Sequence, residues 1–257
     1  MSIFNHQLGH YLEIGTAKIY YEIAGTSNKP VLLVLHGGFG TLEDINVLLS
    51  DLSSDYTLIG IDSMGHGKST MGQTQLTYER LQNHVLEVLN YLNIDEVSII
   101  GFSDGGIVAY RLASFSKLKI VKLITIGSRW HYKNAEGTRQ VLEGVTADGW
   151  KSRFPATYET YQKLNPEPDF DKLAANLVNM WLDPNTSGYA NDHIKNLTAP
   201  LLIIRGDDDP VIPLKDMIEL KETVKGSSFL NVPFAGHAPF INQAEMIKMS
   251  IMKFLIN

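Results

Sequence analysis

The chain has 257 residues, a formal net charge of −6, 44% hydrophobic and 19% charged residues, and no cysteine. These proportions exclude a disordered chain and fit one large domain, or one domain with a sizeable insertion. The missing cysteine excludes disulfides, thiolate metal sites, iron–sulfur ligation and a cysteine nucleophile. No apolar run approaches the ~20 residues of a membrane helix. The opening residues MSIFNHQLGH lack the basic and apolar regions of a signal peptide. A mildly acidic chain without basic clusters is poorly suited to nucleic acid, where Lys and Arg must neutralise phosphates. The expectation is a cytoplasmic protein, monomeric or homodimeric, acting on a small molecule without a membrane or nucleic-acid partner.

In chain order, Tyr11–Ile14 and Ala17–Ile23 read as a hairpin around Gly15. Val31–Leu35 is continuously apolar, as a strand buried on both faces should be. Tyr56–Ile61, Val97–Ile100, Ile120–Ile126, Leu201–Ile204 and the shorter Phe229–Val232 follow the same pattern. Between them, Thr77–Leu92 carries Leu81, Val85, Val88, Leu89 and Leu92 on one helical face, with Thr77 as N-cap but Arg80 where a full capping box has an acid or amide. Asp104–Ser116, Leu214–Val224 and Asn242–Leu255 are also helical in pattern. Strands alternating with helices predict a mostly parallel sheet, mixed through the opening hairpin. From Ser128 to about Thr198 no strand pattern occurs; Pro155, Pro166, Pro168 and Pro184 divide this stretch into short helices rich in Trp and Tyr. A lid over the carboxyl edge of the sheet, where open α/β sheets bind ligands, is the expected role of this insertion.

Gly101-Phe102-Ser103-Asp104-Gly105 is a Gly-x-Ser-x-Gly sequence. It occurs by chance roughly once in ten chains of this length, so its context decides. A strand precedes it and a helix follows, the arrangement of a nucleophile elbow that pushes Ser103 out of a tight, strained turn. A serine nucleophile needs a base. Of the eight histidines, His237 lies in a loop after the last strand, on the same sheet edge. His84 is mid-helix and reads as solvated or packed. His6 and His10 are spaced i, i+4 but lack the helical context and carboxylate of a metal site. An orienting acid comes from Asp207, Asp208 or Asp209 after strand 201–204. An oxyanion hole needs N–H groups, available from Asp104 and from the His36-Gly37-Gly38-Phe39-Gly40 loop. Gly65-His66-Gly67-Lys68-Ser69 suggests a phosphate loop, but the required glycine is Asp62.

With HGGFG at 36–40, DSMGHG at 62–67, GFSDGG at 101–106, GDDDPVIP at 206–213 and GH at 236–237, the chain resembles the α/β-hydrolase fold superfamily along nearly its whole length. Within it, SDGG at the elbow is most similar to valacyclovir-hydrolase-like serine hydrolases. The resemblance implies an eight-stranded, mostly parallel sheet flanked by helices, with a core of residues 1–127 and 199–257 and a helical cap of 128–198. It implies Ser103, Asp209 and His237 as catalytic triad, the acid standing three residues after Gly206, and Gly38, Phe39 and Asp104 around the oxyanion. Asp62–Gly67 becomes a structural turn near the site mouth. Phe39, Asp104, Trp130, Trp150 and Trp181 are candidate substrate contacts. The Asp104 side chain either receives a substrate ammonium or turns away to cap a backbone group or pair with an arginine. The expected reaction is hydrolysis of a small carboxylic ester or thioester through an acyl-enzyme, with no metal or cofactor. The alternatives are carbon–carbon bond hydrolysis on the same site and a low-turnover small-ligand receptor.

Overall fold

The computed structural model describes residues 3–256. The chain opens with the hairpin β1 (His10–Ile14) and β2 (Ala17–Gly25), then β3 (Val31–Leu35) and β4 (Thr57–Ile61). Helix α1 (Tyr78–Tyr91), β5 (Glu96–Phe102), α2 (Asp104–Phe115) and β6 (Lys119–Ile126) follow. The insertion carries α3 (Lys133–Glu136), α4 (Arg139–Glu143), α5 (Ala147–Arg153), α6 (Pro155–Leu164) and α7 (Phe170–Trp181). The chain closes with β7 (Leu201–Gly206), α8 (Leu214–Thr223), β8 (Ser228–Val232) and α9 (Phe240–Ile256).

The strands form one eight-stranded sheet in the order β1-β2-β4-β3-β5-β6-β7-β8. Pairings β1–β2 and β2–β4 are antiparallel and the others parallel, so the expected mixed, mostly parallel sheet is borne out. Alternation along each strand divides the apolar side chains between two cores. Leu33, Leu35, Ile99 and Ile203 join the core with α1, α2 and α8. Leu32, Val34, Ile100 and Ile204 join the opposite core with α9 and the 42–52 segment. Burial on both faces explains why the central strands read as unbroken apolar runs.

Helix boundaries follow local chemistry. Thr77 caps α1, its hydroxyl accepting the Arg80 N–H at 3.1 Å. Pro155 opens α6 at a position whose N–H is not needed. Asp169 caps α7 by accepting the Lys172 N–H. Helix α9 begins two residues earlier than its pattern suggests, because a bend at Gln243 joins a short turn containing the buried Phe240 to the main helix. Among the described residues, no helix is long and apolar enough to cross a membrane.

His84, on α1, is packed rather than solvated: it is buried and its Nδ1 has no partner. Burial, and then the nearby Arg80 charge, push its pKa down to about 4. The unfolded chain takes up this proton near pH 6.5, so the neutral ring contributes stability above that pH, and the contribution is lost as pH falls toward 4. His84→Leu should therefore gain stability over the parent progressively from pH 7 to pH 4, by up to about 3 kcal/mol. Paired melting curves across that range test this; parallel curves would refute it.

Candidate active site

The sheet order sets the site. β3 lies beside β5 with Leu35 opposite Gly101, so the loops leaving these strands emerge side by side. β6, β7 and β8 follow on the other side, bringing the turns after β7 and β8 to the same edge.

Ser103 joins β5 to α2 with φ 51° and ψ −116°, a conformation that costs an L-residue about 1–3 kcal/mol. Close packing holds it there. A Cβ on Gly101 would lie 2.6 Å from the Gly105 carbonyl oxygen, and one on Gly105 would lie 2.3 Å from that of Leu35. The Ser103 hydroxyl makes no capping bond to α2. It instead meets His237 Nε2 at 3.0 Å.

His237 Nδ1 lies 2.9 Å from Asp209 Oδ2. The other oxygen, Asp209 Oδ1, accepts the N–H groups of Val211 at 2.7 Å and Ile212 at 3.0 Å. Burial opposes the Asp209 charge, but the His237 hydrogen bond and charge with the two backbone N–H groups outweigh it, holding the carboxyl below its ordinary range. A carboxylate only accepts, so it fixes a proton on Nδ1 and leaves the Nε2 lone pair for the Ser103 hydroxyl. The neighbouring acids point elsewhere: Asp208 is exposed, and Asp207 accepts from Asn231 at 2.6 Å on an exposed surface.

Opposite this chain lies the 36–40 loop. Among the described residues, the backbone N–H groups of Gly38, Phe39 and Asp104 meet no acceptor. His36 anchors the loop: Nδ1–H donates to the Gly37 carbonyl at 2.7 Å and Nε2 accepts the Ser63 N–H at 2.9 Å. Burial and the adjacent His66 lower its pKa to about 4, keeping the ring neutral. Asp62, fully buried, ties down the far side by accepting from Leu42 N at 2.9 Å and Lys68 N at 2.8 Å. The 62–67 turn thus supports the loop from beneath. His6 joins this network by bridging Asp62 and Glu43, and among the described residues no cluster of potential metal ligands is present.

The Asp104 carboxylate neither caps a backbone group nor meets an arginine. It accepts the Tyr78 hydroxyl at 2.6 Å and the Trp181 indole N–H at 2.9 Å. Burial raises its pKa, the Tyr78 and Trp181 bonds opposing. Gly38 packs so closely here that a Cβ would sit 2.6 Å from Asp104 Oδ2 and 3.1 Å from the Trp181 ring. Phe39, held at φ 59°, stacks on Trp150 with centroids 4.1 Å apart, lies tilted against Phe170 and meets Trp181 edge-on.

The structure gathers Phe39, Trp150 and Trp181 but does not bring Trp130 to them. Trp130 is a correction to the sequence reading: it is 2% exposed and its indole N–H donates to the Asp216 carbonyl. Tyr78 and Phe170 escaped the sequence analysis. Tyr78 is 26 positions from Asp104, and only the packing of α1 against α2 unites them.

A sequence model of the alpha/beta hydrolase fold matches residues 30–146. The chain is 25% identical over 236 residues to 3-oxoadipate enol-lactonase 1 of Acinetobacter baylyi, covering 87% of this chain and 88% of that protein. It is 23% identical over 263 residues to a 2-hydroxy-6-oxo-6-(2'-aminophenyl)hexa-2,4-dienoic acid hydrolase of Metapseudomonas resinovorans, covering 95% and 90%. Among solved structures, a thermophilic esterase from Thermogutta terrifontis superposes with a TM-score of 0.75 at 23% identity, covering 96% and 98% of the two chains. Sheet order, elbow and relatives agree: the chain is an enzyme with the α/β-hydrolase fold.

Proposed function

We propose that the protein is a serine hydrolase that cleaves a small carboxylic ester, lactone or thioester through an acyl-enzyme. The observation carrying this reading is the continuous hydrogen-bond chain Ser103–His237–Asp209 at 3.0 and 2.9 Å. As Ser103 Oγ attacks the carbonyl carbon, His237 Nε2 takes its proton, and Asp209 stabilises the resulting imidazolium. The N–H groups of Asp104 and of Gly38 or Phe39 receive the developing oxyanion. His237 then returns the proton to the leaving oxygen or sulfur. Water attacks the acyl-enzyme with His237 again as base, releasing the acid and restoring Ser103. These steps need no metal or cofactor, and a small-molecule substrate in the cytoplasm fits the reading.

Residues 128–198 serve as the cap in this proposal. Trp181 fastens it to the elbow through Asp104, and Trp150 closes over Phe39. Trp150→Ala should open space beside Phe39 and, if that space takes the acyl chain, shift preference along a series of 4-nitrophenyl esters toward longer chains. An unchanged chain-length profile would make the stack mere packing. Reaction with a fluorophosphonate, followed by mass mapping of the labelled peptide, tests the assignment as a whole. Modification confined to Ser103 supports it, and an inert Ser103 in folded protein overturns it. Carbon–carbon bond hydrolysis is the second reading, favoured by the relative from Metapseudomonas resinovorans. Turnover of a vinylogous 1,5-diketo acid without ester hydrolysis would select it.

A further inference from the structure

Arg129 stands three residues past the end of β6 and is 3% exposed. Its Nη2 donates to Thr138 Oγ1 at 2.6 Å and to the Val211 carbonyl at 3.0 Å. The Tyr189 hydroxyl also lies against the guanidinium, but the Nε–H is buried with no acceptor, and no ion pair joins Arg129 to a carboxylate among the described residues. The other buried arginines are better satisfied. Arg111 donates to Gln82 and to the carbonyls of Thr186, Gly188 and Tyr189, with Glu79 3.7 Å away. Arg205 donates to the carbonyls of Ile212, Asp207 and Asp209 and to Asn231. A buried cation is costly unless paired and fully hydrogen-bonded, and a guanidinium cannot shed its proton to escape that cost.

The location ties Arg129 to the reacting groups. Two residues before it, Gly127 packs against the His237 ring, a Cβ there lying 3.2 Å from Cε1. Two residues of chain span at most about 7 Å. On the other side, Val211 takes the guanidinium on its carbonyl while its N–H holds Asp209. Thr138 belongs to the insertion, so Arg129 lies where insertion, acid loop and sheet edge meet. Asp216 is the acid whose charge Arg129 influences, but burial raises its pKa toward the neutral form and its Oδ2 is also unpartnered. The Asp104 carboxylate is taken by Tyr78 and Trp181.

We propose that Arg129 receives a carboxylate of the substrate, so that the enzyme acts on an ester, lactone or thioester bearing a free acid a few bonds from the scissile carbonyl. A carboxylate oxygen satisfies the unfilled Nε–H in one charge-assisted hydrogen bond while Nη2 stays on Thr138 and Val211, and a neutral group matches that contact poorly. The inference rests on the serine-hydrolase reading. The bland alternative is that Arg129 only clamps Thr138 of the insertion to Val211.

Two matched ester pairs distinguish them. One carries the acid on the acyl side, 4-nitrophenyl hydrogen glutarate against its methyl-capped form. The other carries it on the alcohol side, the butyryl ester of 4-hydroxybenzoate against that of methyl 4-hydroxybenzoate. The parent enzyme should favour the acid in at least one pair by roughly ten- to hundredfold in kcat/KM, chiefly through KM. Arg129→Gln should bring that ratio close to one, and Arg129→Lys should fall between. Ratios near one in both pairs for an active, fluorophosphonate-labelled parent overturn the proposal, as does a ratio unchanged in folded Arg129→Gln. Should that variant fail to fold, the parent ratios and Arg129→Lys still decide. If Ser103 resists labelling and neither pair is turned over, the serine-hydrolase reading itself fails, which separates the two failures.

Discussion

Ser103→Ala should lower kcat by about 10⁶-fold, the scale seen when a triad nucleophile is removed, while leaving the melting temperature nearly unchanged. The two halves of this expectation come from different observations. The Ser103 hydroxyl meets His237 and makes no capping bond to α2, so its loss removes the attacking atom but little that supports the helix. The backbone strain at φ 51° remains with alanine. Ser103→Gly should relieve it, raising stability by about 1 kcal/mol while being equally inactive. Purified Ser103→Ala retaining more than a hundredth of parental ester turnover would sink the nucleophile assignment. A Ser103→Gly protein melting below the parent would show that the elbow is not strained.

Much of the fold was legible because a doubly covered parallel sheet writes itself as continuous apolar runs. Val31–Leu35 was bounded to the residue, and β5 and β7 were short by only a few residues at their ends. Ser103 and His237 were legible for a related reason: each sits in a loop directly after a recognisable strand, so chain position alone put both on one edge. The acid was not legible from spacing. Three adjacent aspartates differ only in which carboxylate the turn directs inward, and the resemblance, not the pattern, selected Asp209. Side-chain destinations in the insertion were less readable still. Trp130 and Trp150 look alike as aromatic residues in a helical stretch, yet one is locked to Asp216 and the other lies on Phe39. The Tyr78–Asp104 bond depends on how α1 packs against α2, and no local period reports that. The unpartnered Nε–H of Arg129 depends on what is missing around it, which a sequence does not record.

Asp209→Asn should reduce kcat by about 10⁴-fold, whereas Asp207→Asn and Asp208→Asn should stay within a fewfold of the parent. The reason lies in how the carboxylate is held. Asp209 Oδ1 accepts two backbone N–H groups, from Val211 and Ile212. In the asparagine variant the amide oxygen must keep that position, because an NH2 there would oppose both donors. The NH2 group is then left facing His237 Nδ1, where it donates and turns Nδ1 into the acceptor. The imidazole proton moves to Nε2, and a protonated Nε2 cannot take the proton of Ser103. Fold and stacking survive while the base is lost, so KM and the circular dichroism spectrum should change little as kcat collapses. The largest loss appearing at Asp207 or Asp208, or a loss below about a hundredfold at Asp209, would mean that the observed hydrogen-bond chain is not the one that carries turnover.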